Sequence, residues 1–116
     1  MVKTGKDKIS VTEGSGNVFA DLGFAEAEDE LTKAQLARLI RQVIKRRRLT
    51  QVAAAKLMGL DQPKVSALLN GRLANFSSER LMRLLTTLGQ DVEIAVRATP
   101  ARRARGHIRV VEQMTV

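Results

Sequence analysis

The chain has no cysteine, tryptophan or tyrosine, and only two prolines and three phenylalanines in 116 residues. Without cysteine there can be no disulfide, thiol nucleophile or zinc knuckle. His107 stands alone, with no carboxylate at ligand spacing, so neither a metal site nor a cofactor is expected. The shortage of aromatic rings removes the stacking platforms on which single-stranded nucleic-acid binders generally rely. No uncharged apolar run approaches the ~18 residues of a membrane span. The opening MVKTGKDKIS lacks the apolar core of a signal peptide, which makes a soluble, cytoplasmic protein the default expectation. No Gly-rich phosphate loop and no nucleophile–base arrangement can be found, so no enzyme is expected.

What the chain does carry is positive charge, unevenly spread. The net charge is +8 and the pI about 10.9, which points to a polyanionic partner. Residues 1–31 hold Lys3, Lys6 and Lys8 against Asp7, Glu13, Asp21, Glu26, Glu28, Asp29 and Glu30, and are acidic. Residues 38–72 hold nine lysines and arginines against Asp61 alone. A basic module thus follows an acidic front. At this length one domain is expected, with a small aliphatic core suited to helices.

Along the chain, residues 1–17 are polar and read as a flexible arm, and 18–31 as a short acidic lead-in. Thr32-Lys33-Ala34-Gln35 has the pattern of a capping box, and Leu36, Leu39, Ile40 and Val43 recur at helical spacing, which predicts a first helix from about Thr32 to Arg47. Thr50 can cap a second helix that stops at Gly59, and Asp61 a third that stops at Asn70-Gly71, with Pro63 in its first turn. Ser77 or Ser78 caps a fourth, with Leu81, Leu84, Leu85 and Leu88 on one face. The period then changes to two. Val92, Ile94 and Val96 alternate with Glu93, Ala95 and Arg97, predicting a strand over 91–97. The basic tail, 98–116, is expected to be mobile. The strand needs a partner: either HIRVV (107–111) of the same chain or the same strand of a second subunit. The second is favoured, because a two-fold pair also sets two recognition helices one DNA turn apart.

Two short helices around one glycine have the spacing of a helix-turn-helix. Ala55 is small where the third helix crosses the second, Gly59 makes the turn, and Leu57, Val65 and Leu68 are expected to fill the wedge between them. The stretch LTQVAAAKLMGLDQPKVSALLNGR resembles the XRE (phage repressor-like) pattern L-T-Q-x-x-x-A-x-x-x-G-[VL]-[ST]-x-x-x-[VI]-S-x-[IL]-x-x-G over 24 residues without a gap. With the first helix and FSSERLMRLLTTLG the resemblance extends over most of 32–89. The flanking NVFADLGF and DVEIAVR make the whole arrangement similar to the HigA-type antitoxins of bacterial toxin–antitoxin modules.

The resemblance implies a mainly α, XRE-like bundle over 32–97 with one C-terminal β-strand pairing across a dimer through Val92, Ile94 and Val96. It also implies a sequence-specific repressor of double-stranded DNA that blocks an RNase toxin of the RelE/HigB kind. A stand-alone XRE regulator and a basic RNA- or protein-binding adaptor are the alternatives. Gln51 matches the family position that hydrogen-bonds a DNA phosphate. In helix three, Gln62, Lys64, Ser66 and Ala67 face outward if Val65, Leu68 and Leu69 face inward, with Pro63 in the same groove-facing turn. Glutamine suits adenine, lysine suits guanine or phosphate, and an alanine methyl can touch thymine. Asn70 and Arg72, with the amide end of helix four, are placed to hold phosphate, and Arg46 and Arg47 to meet the backbone. Asp61 stands where Ser or Thr is commoner, and Pro63 removes one backbone donor from the groove-facing turn.

Overall fold

The computed structural model describes residues 18–113, with side chains from Leu22 onward; the expected arm at 1–17 lies outside the described residues. Four helices follow one another: α1 (Val18–Arg46), α2 (Gln51–Met58), α3 (Gln62–Leu69) and α4 (Ser78–Thr87). α1 packs most extensively on α4, and α2 on α3. The core between them is aliphatic apart from Phe76. Leu36, Ala37, Ile40, Val43 and Ile44 of α1 meet Leu81, Leu84, Leu85 and Leu88 from α4 and its cap, while Ala54, Met58, Leu60, Val65 and Leu68 close the other side.

The first helix begins at Val18, well ahead of the expected start at Thr32. Thr32 does not cap. Its hydroxyl donates to the Glu28 carbonyl at 2.9 Å, within the helix and one turn back. A threonine can be satisfied either way, and here the composition decides. Residues 25–35, AEAEDELTKAQ, are mostly strong helix formers. Lys33 adds ion pairs to Asp29 and Glu30 one turn earlier. The N-terminal half of α1 therefore continues as a helix beyond the bundle, leaving Leu22, Phe24 and Leu31 exposed.

α1 stops through a backbone device rather than a breaker. The Leu49 amide reaches back to the Ile44 carbonyl and the Arg48 amide to that of Lys45, a Schellman closure that packs Leu49 on the core. The closure requires a left-handed residue, and Arg48 takes it at φ 56°. A side chain there costs about 1–2 kcal/mol relative to glycine, partly offset by glycine's greater freedom in the unfolded chain. Arg48→Gly is accordingly expected to raise unfolding stability by about 0.5–1 kcal/mol, read as a higher urea midpoint at unchanged slope.

The other starts follow the sequence. Thr50, Asp61 and Ser77 each sit in extended conformation and accept from the amide three residues on, at 2.9–3.0 Å. Ser77 is the cap of α4, and Ser78 instead donates to Asp29 at 2.8 Å, tying that helix start to α1.

Beyond α4 no strand forms among the described residues. Residues 90–100 are non-helical and join no strand ladder, and Val92, Ile94 and Val96 stand exposed, the last two at 78% and 91%. The reason is physical: a single extended segment has no second edge within its own chain, because HIRVV, the one internal candidate, lies elsewhere. It runs along α1, where the Ile108 amide donates to Glu28 at 3.0 Å and the Val110 amide to Gln35 at 3.4 Å.

Candidate nucleic-acid interface

α2 and α3 form a compact pair because their facing residues are small or apolar and their connection is only three residues long. Ala54, Val65 and Leu68 are completely buried, with Ala55 and Leu69 half-buried beside them. The small residue at the closest approach is thus as much Ala54 as Ala55. Leu57, expected in the wedge, turns outward instead and is 42% exposed; Met58, one residue on, takes the inward position. At the turn, Gly59 adopts φ 67°, and the Leu60 amide closes back on the Ala55 carbonyl, sending Leu60 into the core. Any other residue at Gly59 would carry left-handed strain.

This packing leaves one face of α3 open. Gln62, Pro63 and Lys64, its first turn, are all exposed, whereas Ser66 and Ala67 are half-buried. Pro63 costs the helix nothing, since the amides of a first turn have no intrahelical acceptor. Gln51 is the first residue of α2 and is exposed. Neither helix carries an acidic side chain in its first turn, so the positive ends of both dipoles are left without a local counter-charge beyond the Asp61 cap. Asn70 ends α3, its side-chain amide donating to the Ser66 carbonyl at 2.9 Å, and Arg72 follows it, exposed.

Three expected phosphate contacts look different in the structure. The amide end of α4 is occupied by its own Ser77 cap and lies beside Glu79 and Asp29, an acidic setting unsuited to an anion. Arg47 is exposed but already engaged: its Nη1 donates to the Leu88 carbonyl at 2.9 Å, closing the C-terminus of α4. Arg46 lines a shallow surface depression with Gln42, Lys45 and Glu112, where a carboxylate shares its surroundings. Arg47→Ala is thus expected to cost about 0.5–1.5 kcal/mol of stability through the lost bond. Arg46→Ala should be near-neutral for folding and weaken operator and random duplex alike. Thermal melts and duplex titrations on the two single variants separate these roles.

The sequence reads the tail as basic and mobile, with HIRVV as a possible strand, whereas residues 105–112 lie along α1. The signal missed was that its alternating Ile108 and Val110, with Arg109 between, suit the flank of a helix as well as a sheet edge.

A buried helical pair, a left-handed glycine turn and an exposed first turn on the second helix define a helix-turn-helix domain. The family model described as a helix-turn-helix domain matches residues 18–97. A solved structure provisionally named as an XRE-family transcriptional regulator is 52% identical to this chain, covers 76% of it and 99% of its own length, and superposes with a TM-score of 0.73. No curated protein matches the chain. The chain belongs to the XRE helix-turn-helix family.

Proposed function

We propose that the protein is a cytoplasmic transcriptional repressor that binds an operator in double-stranded DNA as a homodimer, reading bases with the first turn of α3. The observation that carries this reading is the exposure of Gln62, Pro63 and Lys64 on a helix whose opposite side, Val65 and Leu68, is wholly buried. Side chains held that way can enter a groove without any loss of fold. Gln51 and the start of α2 take a phosphate, Asn70 and Arg72 flank the groove, and Ser66 and Ala67 approach bases deeper in it. The basic stretch 38–72 supplies the sequence-independent part of the affinity.

Within this reading the protein either acts alone or also neutralises a toxin, as HigA-type antitoxins do. The second role is favoured by the acidic front of the chain, which suits the cationic surface that an RNase must present to RNA. Titration against the duplex upstream of its own gene, a scrambled duplex and RNA tests the DNA-binding role. Preference for the upstream duplex is expected, and equal binding to RNA would instead favour a basic adaptor. A small RNase-like gene next to this one, with neutralisation impaired by deleting residues 2–17 while operator binding persists, is the result expected of an antitoxin. Its absence leaves the stand-alone regulator.

A further inference from the structure

The outer half of α1 extends beyond the bundle, exposing Leu22, Phe24 and Leu31 together with Glu26, Asp29 and Glu30. One element covers part of it: residues 105–112, which run extended and parallel to the helix. The Arg105 guanidinium lies 4.5 Å from the centre of the Phe24 ring. The Ile108 amide donates to Glu28 Oε2, with His107 Nδ1 3.9 Å from the same oxygen. The Val110 amide reaches Gln35 Oε1, and its side chain packs against the core. With the Gln42 amide oriented to satisfy its neighbours, it donates to Glu112 at 3.2 Å. These contacts recur along the helix at Phe24, Glu28, Gln35 and Gln42. They make a track that accepts alternate backbone amides, takes one aliphatic side chain and places a cation over a ring.

The strap is held lightly. Ile108 and Val111 remain 66% and 65% exposed, and the Val110 amide bond is long at 3.4 Å. The charges of the two segments are complementary, since residues 102–109 carry Arg102, Arg103, Arg105 and Arg109 and the outer half of α1 carries Glu26, Glu28, Asp29 and Glu30. We infer that this flank of α1 is a docking track for a basic, extended segment of a partner protein, and that residues 105–112 occupy it in the free chain as an internal stand-in. The partner segment has the same chemistry: an arginine five residues ahead of one seated aliphatic residue, with a free backbone amide between them. Binding is then a strand-for-strand exchange. The internal strap, tethered by a short linker, competes at an effective concentration on the order of millimolar. The inference is independent of the DNA-binding reading, because the track involves neither α2 nor α3.

The probe is a fluorescent peptide, ATPARRARGHIRVVEQ, titrated against the full-length protein by anisotropy. Two full-length variants loosen the strap without touching the track: Arg105→Glu, which reverses the charge over Phe24, and Ile108→Pro, which removes the amide that Glu28 accepts. Each is expected to bind the peptide at least tenfold more tightly than the unmutated chain. Adding Glu28→Ala to either, which removes the acceptor itself, should abolish the gain, as should a peptide of the same composition in scrambled order. No gain in either variant, or equal binding of the scrambled peptide, overturns the track. Tail-dependent self-association, seen as a dimer lost in Arg105→Glu, would assign the flank to a second copy and overturn the partner proposal.

Discussion

Leu68→Ala is expected to lower the unfolding free energy by about 2–5 kcal/mol, the range for truncating a wholly buried leucine. Leu68 has no exposed surface and anchors α3 to the core shared with α1 and α2. A helix of eight residues cannot hold its shape in water unaided, so losing that anchor removes most of what keeps α3 in place. For a domain of this size each kcal/mol shifts the melting temperature by about 4–8 °C, so a fall of about 10–40 °C should be read by circular dichroism. Operator affinity should drop as well, because the reading helix loses its seat although none of its exposed residues has changed. Leu57→Ala, on the outward side of α2, is the control and should shift stability by well under 1 kcal/mol. A Leu68→Ala protein that melts within a few degrees of the unmutated one would mean that α3 is held by other contacts.

Ile94→Pro is expected to convert the proposed dimer to monomer and to weaken operator binding by roughly a hundredfold or more, the avidity lost when two half-sites are bound independently. Val92, Ile94 and Val96 alternate along an extended segment that joins no strand ladder, and such exposure is costly unless a second edge meets it. Val92 and Ile94 also line a shallow groove with Met82, Arg83 and Thr86 of α4, so a pairing strand would meet apolar surface. In the proposed dimer, proline would remove a ladder donor together with a side chain that the second subunit would cover. Sedimentation reads the mass and a duplex titration the affinity. A variant that stays dimeric places the subunit contact elsewhere.

The helix-turn-helix was legible because its constraints are local. Thr50, Asp61 and Ser77 cap through bonds spanning three residues, and Gly59 is the residue a left-handed turn favours. The start of α1 was not legible, since Thr32 can cap a helix or satisfy its hydroxyl inside one, and the choice depends on the fourteen residues ahead of it. Leu57 misled because helical periodicity alone cannot say whether it or Met58 faces α3. Arg47 read as one cation in a run of four. Only the fold shows that it lies 41 residues away from the carbonyl it closes. The seat of the tail was not legible for the same reason: its partners on α1 are 75–80 residues distant.

Among the candidate contacts, Gln62 most directly distinguishes a reading helix from a merely basic surface. A base contact contributes about 1–3 kcal/mol of discrimination, whereas a phosphate contact weakens every sequence alike and lowers the salt slope by about one. The decisive measurement is therefore the ratio of operator to scrambled-duplex affinity for Gln62→Ala and the unmutated protein, each at two salt concentrations. The ratio should fall by about 5–150-fold in Gln62→Ala, with the salt slope unchanged. An unchanged ratio would contradict base reading by the first turn of α3, and an unmutated protein that prefers no duplex would contradict the repressor itself.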